Sequence, residues 1–578
     1  MSVDACARGL VLLILGLAAG ACSASNEAPA PSSTSGGESS TTGGLPPPDG
    51  RSAACIEAAE RKTSVGCEYY PTMLDGRFAA DNGCFVSFVA NTSNEQAILG
   101  ATFGETEIDL GTYARLPVGA GKSLGYAPYD PGKGLAPGEV AILFLAGTHT
   151  PLDEGEVSTD APVPCPVPAA VPVGAQIHGT GMGQAFHITT STPVVAYQML
   201  PYGGGAAAVT GATLLLPATA WDTSHVAVNA YGADMTAEFG VGPSMSIVAA
   251  ENDTRVTIVP KVVIGAGPGV SSAAAGSKVD YLLQAGQVLQ LTQAQELTGS
   301  PIQSDKPVGL FAGHQCTNTP FNGPYCDHAE QQIPAVRALG HEYAVVHHRN
   351  RTAQPESPRY RLVGAADGTT LSWDPDVGGP SSLAFGEVVE LTASGPFVVR
   401  SQDAKHPFVL LSYMTGATTV ADGASLAGYG DPDVVRIVPP AQFLSHYVFF
   451  TDPTYPETNL VVVRTRHEGA FHPVELDCAG TLEDWAPVGG SSDYEYTRID
   501  LVRHDFEPQG GCDNGRREMT SAAPFGLWVW GWGTPETQPQ TFDGCSPSEP
   551  GYTCYVSYGY PGGEGLQVLN DVEVPVPK

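Results

Sequence analysis

Apolar residues along this chain gather in runs of strand length, either alternating with polar ones or continuous: CFVSFVAN, EVAILFLAG, TPVVAYQML, VTIVPKVVI, YAVVHH, EVVELTAS, PFVVRSQ, PFVLLSYM, NLVVVRTR and FGLWVWGWG. Each is rich in β-branched or aromatic residues and bounded by Gly, Pro, Asn or Asp, a pattern that predicts antiparallel β-structure throughout. The stretch AACIEAAERKTS, starting at Ala53, predicts one short helix. A chain of 578 residues is expected to divide into more than one domain.

Three phrases recur and organise these strands. An apolar residue followed by Pro opens a segment at Pro217, Pro334 and Pro439; a Gly-led strand appears at Gly286 and Gly386, with a weaker copy at Gly138; a Pro-led strand appears at Pro193, Pro307, Pro407 and Pro524. The phrases return roughly every 100–120 residues, several times the length of a propeller blade. Each interval has room for about seven short strands, the size of a small sandwich. The expectation is an all-β fold of repeated antiparallel sandwich-like units, with propeller-like closure as the alternative. Proline suits a strand start, where its missing N–H falls before the ladder begins.

The first residues, MSVDACARGLVLLILGLAAGACSAS, place Arg8 ahead of an apolar run too short to span a membrane. This reads as an export signal, and Leu17 to Cys22 resembles the bacterial lipobox, in which cleavage leaves an acylated cysteine at the mature N-terminus. Cys22 is therefore the expected lipidation site, and Ser23 in place of aspartate favours the outer membrane. The alternative is ordinary secretory cleavage. Residues 22–50 are rich in Ser, Thr, Gly and Pro, with no aromatic and a single Leu45, which predicts a tether. The expected division is signal 1–21, tether 22–50, an N-terminal β unit 51–170 and a repeat region 171–570.

Export changes the meaning of the cysteines. Beyond Cys6 and Cys22 there are ten: Cys55, Cys67, Cys84, Cys165, Cys316, Cys326, Cys478, Cys512, Cys545 and Cys554. An even number in an exported chain predicts disulfides, and nearest-neighbour pairing gives 55–67, 84–165, 316–326, 478–512 and 545–554, although spacing alone leaves connectivity open. The net charge of −33, from 60 acidic and 27 basic residues, argues against nucleic acid or an anionic membrane face as partner.

Several phrases together, LLLPATAW, MSIVAAENDTRVTIV, AGQVLQL, GSPIQSDKPVGLFAGHQC, CDHAEQQIP, LGHEYAVV and PFGLWVWGWG with YVSYGYPGG, resemble the N-terminal domain of IgG Fc-binding protein and its bacterial relatives. The resemblance runs over roughly residues 170–570. It implies a large extracellular β-rich binding module and carries over no catalytic residue, nor does it imply that this chain binds antibody.

The densest chemistry lies in KPVGLFAGHQCTNTPFNGPYCDH, which crowds His314, Cys316, Cys326, Asp327 and His328. A disulfide closing a surface loop is the favoured reading. The zinc alternative would add His347 or His348, but His-x-x-x-His and His-x-His spacing are missing. A cysteine nucleophile would need a free thiolate. Acidic turns near Asp253 and Asp431 do not follow the alternating calcium loop and read as hairpin turns. Trp528, Trp530 and Trp532 share one face of a strand, and a buried seam is favoured over an exposed stacking platform. No catalytic residue, metal or cofactor is expected. The chain reads as a surface lipoprotein that binds an extracellular protein or glycan; a secreted hydrolase and a passive envelope component are the alternatives.

Overall fold

A computed structural model describes residues 51–149, 162–203, 209–232, 240–319, 326–416, 429–537 and 556–576. The signal, the tether and Cys22 fall outside these residues, as do Cys545 and Cys554. What is described is almost entirely antiparallel β-sheet, with α-helix at Ala53–Arg61 and Leu110–Tyr113. The first helix begins where Ser52 accepts the Cys55 N–H at 3.2 Å and ends at Lys62, whose φ of 45° leaves the helical region. None of the described helices is long and apolar enough to cross a membrane.

One strand pattern occurs four times, each time built on a long strand that serves two groups of neighbours. The long strands are Phe186–Leu200, Pro301–Thr317 and Gly515–Trp532. The third unit holds the same element as two pieces, Phe397–Ser401 and Phe408–Met414. In the first unit Leu99–Phe103 pairs with the early half of the long strand, while Phe85–Asn91 and Gly211–Leu214 pair with the late half. In the second, Thr254–Ile258 takes the early half, and Pro243–Ala249 and Asp327–Ile333 take the late half. The third repeats this with Thr369–Asp374 on the early piece and Arg359–Gly364 and Asp433–Arg436 on the late piece. The fourth does so with Val474–Leu476, then Glu457–His467 and Ser557–Pro561.

The recurrent prolines mark the changeover. Pro193, Pro307 and Pro524 lie inside long strands rather than at their starts, and Pro407 directly precedes Phe408. Pairing with Leu99–Phe103, Thr254–Ile258 and Val474–Leu476 stops at Thr190, Ser304 and Ser521, pairing with the next set starts at Val194, Val308 and Phe525, and the strands that accompany both halves, Gly66–Tyr69, Asp222–Val226 and Leu444–Thr451, cross the gap with a register shift. A residue without an N–H costs little where no ladder bond is due. Phe186–Leu200 completes the sheet that contains Phe85–Asn91.

The cores cross from unit to unit. Phe88, Phe144 and Tyr197 of the first unit share a cluster with Phe450, Leu460 and Val529 of the fourth. The final long strand supplies two cores by alternation, with Leu527 and Val529 facing that cluster and Trp528, Trp530 and Trp532 facing Tyr343, Phe397 and Met414. The tryptophans are thus buried seam residues.

Candidate functional site

The four short strands that follow the long ones, Gly211–Leu214, Asp327–Ile333, Asp433–Arg436 and Ser557–Pro561, touch in a closed cycle, each against the next and the last against the first. Every residue of Asp327–Ile333 is buried, although five of its seven side chains are polar. Buried polar groups must find partners, and this segment finds them across the cycle. The Gln331 amide donates to the carbonyls of Ala212 at 3.0 Å and Gly559 at 3.3 Å, and its oxygen accepts the Arg436 N–H at 3.3 Å. A single side chain therefore joins three other strands. Gln332 accepts the Leu216 N–H at 2.6 Å, and its own N–H donates to Thr213 Oγ1 at 2.9 Å. The buried Arg436 guanidinium closes on Glu564 through two bonds.

At the start of the same strand Cys316 and Cys326 are joined, with Cα atoms 5.1 Å apart, tying Pro301–Thr317 to Asp327–Ile333. The residues around the bond are not on a surface loop: His314, Asp327 and His328 are fully buried. They belong to paired strands, where the ladder draws their backbone inside and takes the side chains with it. The segment between residues 320 and 325 lies outside the described residues. Cys55 is bonded to Cys67, Cys84 to Cys165 and Cys478 to Cys512.

These side chains do not assemble into a nucleophile and base. His314 accepts the Cys316 N–H at 3.1 Å, and His328 Nε2 lies 3.7 Å from Glu330 Oε2. Burial raises the Glu330 acid, opposed by His328 and by Gln198, whose amide donates to it at 2.9 Å. His347 and His348 sit elsewhere, His348 against the rings of Trp530 and Trp532, and burial draws their basicity down to about 4 and about 3. Among the described residues no three His, Cys, Asp or Glu side chains converge as a metal centre.

Acidic residues nevertheless meet at one end of the cycle. Asp327 starts its strand opposite Thr317, and Asp433 starts the adjacent one opposite Met414. Burial holds the Asp327 acid well above the usual carboxylate range, and the charges of Asp431 and Asp433 raise it further. Burial does the same to Asp433, with Glu330 adding to it. The sequence singles out Asp327 and the turn at Asp431 separately, the latter as a hairpin turn, but not their meeting, because the two segments lie about a hundred residues apart and come together only when the units pack.

Two open grooves lie outside the cycle. One, of about 600 Å³, runs between the helix Ala53–Arg61, residues 92–95 and residues 444–448. The other, of about 540 Å³, lies between Phe103, the glycine-rich residues 174–184 and Pro268. At its edge His178 stands between two carboxylates, 3.9 Å from Asp75 and 3.7 Å from Asp81.

The sequence model described as IgGFc binding protein matches residues 211–531, more than half of the chain, from the first short strand of the cycle to the last long strand. The human protein named IgGFc-binding protein is 28% identical over 239 residues; the match covers 40% of this chain and 4% of the human one. The chain thus corresponds to a small part of that relative's length. No solved structure matches. Four units sharing one strand pattern, the second and third of them wholly within the matched span and the fourth in large part, and the ordered phrases that thread them lead to the same place: the chain belongs to the IgGFc binding protein family.

Proposed function

We propose that this chain is an extracellular protein-binding module, held at the outer membrane by lipid on Cys22. Family membership across residues 211–531 carries the reading, since the family is described by a binding role and the human relative is named for one. The arrangement of side chains supports binding over catalysis: the histidines and acids nearest the sequence's best enzyme candidate are engaged in holding strands together. The lipobox-like Leu17 to Cys22 and the core-less residues 22–50 support an anchor followed by a spacer. Beads carrying the exported chain, mixed with envelope and matrix extracts, should retain a defined protein that free chain competes away. Retention of polysaccharide alone, or turnover of a peptide or glycan, would replace this reading with another. Cys22→Ser should move the protein from the membrane fraction to the soluble exported fraction.

A further inference from the structure

We propose that the acidic end of the strand cycle is a calcium site, formed by the carboxylates of Asp327 and Asp433 together with hydroxyl oxygens that face them. The two aspartates come from neighbouring short strands of different units, and both are fully buried. Neither carboxylate oxygen of Asp327 accepts a hydrogen bond of ordinary geometry, although the Thr210 N–H acts on the group, and Oδ2 of Asp433 is likewise unpartnered, its Oδ1 accepting the Val434 N–H at 2.7 Å. Asp431 is placed beside them, its N–H donating to Ser557 Oγ at 2.9 Å. No lysine or arginine is among the groups that act on Asp327 or Asp433. Arg351 comes near, donating to the Tyr429 carbonyl at 2.8 Å, but its charge is held by Glu356.

A second observation is independent of the acids. The Thr317 hydroxyl is buried and without a hydrogen-bond partner, and the hydroxyls of Thr210 and Tyr455 are buried against one another. Thr317 lies opposite Asp327 in register, and Tyr455 faces both Asp327 and Thr210. Oxygens rather than nitrogen or sulfur dominate this group, which suits a hard cation.

Protons alone leave the group unsatisfied. A proton on Asp327 can satisfy at most one of its two carboxyl oxygens, and both are without a partner of ordinary geometry. Calcium takes six to eight oxygens at about 2.3–2.6 Å, so oxygens around one ion stand roughly 3.5–5 Å from each other, beyond hydrogen-bond distance. Unpartnered oxygens facing one another are the arrangement such an ion requires. Since no three His, Cys, Asp or Glu side chains converge here, the remaining positions fall to hydroxyls and water.

The test uses the full chain, stripped with a chelator and titrated calorimetrically with calcium chloride. One ion per chain should bind, raise the melting temperature by several degrees, and be reported by terbium luminescence sensitised through Tyr455. Asp327→Asn should weaken calcium binding at least tenfold, while Asp253→Asn, in an exposed turn, should leave it unchanged. Asp433→Asn serves where Asp327→Asn does not fold, and should lower affinity for calcium without lowering the melting temperature in chelator. Absence of calcium uptake by the parent chain would overturn the proposal, as would a rise in melting temperature of Asp327→Asn that is the same with and without calcium, the outcome expected if protons alone hold the cluster.

Discussion

Asp452 illustrates how burial writes a pH dependence into this fold. Its Oδ1 accepts the Thr454 N–H and hydroxyl, both at 2.8 Å, and its own N–H donates to Tyr558. Burial pushes the acid up to about 7, with the Thr454 bonds pulling against it. Because the folded value lies above the unfolded one, the native state holds a proton that the unfolded chain gives up near pH 4. Stability is therefore fully present below that pH, falls as pH rises towards 7, and stays at its lower level beyond, a loss on the order of 4 kcal/mol. Asp452→Asn should flatten this window: the urea midpoints at pH 4.5 and pH 8 should differ less in the variant than in the parent, and equal differences would refute the assignment. None of this was legible locally. DPTYPE has the composition of an exposed turn, and Asp452 is buried by Tyr558 and other residues far away in the chain. His314 and His328 were misplaced for the same reason, since nothing in their spacing tells a loop from a strand interior.

Individual strands were much easier to read. Period-two patterning located the long strand around FGLWVWGWG and put its three tryptophans on one face. It did not show that the opposite face is core as well, because that depends on which sheet packs behind it. With two cores on one strand, neither face tolerates truncation. Trp530→Ala should cost about 3–5 kcal/mol and Val529→Ala roughly 2 kcal/mol in denaturant unfolding, each by the cavity it leaves. A stacking platform would instead let Trp530→Ala keep the parent's midpoint. The prolines show the limit of the same reading. Their recurrence was visible and signalled repetition, but a missing N–H marks a gap in pairing and not the beginning of a strand, so Pro193, Pro307 and Pro524 fall where the long strands exchange neighbours.

Across the whole of residues 51–576, the repeats predicted sandwich-like units correctly, while the cycle that joins them came from packing. Its seam joins Lys62–Ser64 near the start of the described chain to Glu564–Leu566 of the segment after the last short strand: Leu566 donates to Lys62 O at 2.7 Å, Ser64 donates to Glu564 O at 2.8 Å, and the Glu564 N–H returns to Ser64 Oγ at 3.0 Å. A circular permutant that joins the two ends by a short Gly/Ser linker and opens between residues 338 and 342, at the junction of two units, should fold with a single calorimetric transition, because the shared cores make the units one cooperative body. Separate transitions for the units would contradict that cooperativity. A disulfide beside the seam fixes how the fold bears load. When the chain is pulled from its N-terminal side, the Cys55–Cys67 bond carries tension past the helix Ala53–Arg61 and delivers it to the strand Gly66–Tyr69, beside the place where the ends meet. The helix beyond Cys55 and residues 62–64, all enclosed between the bonded cysteines, are shielded, and the pairing of Gly66–Tyr69 with Phe186–Leu200 becomes the first latch to be tested by force.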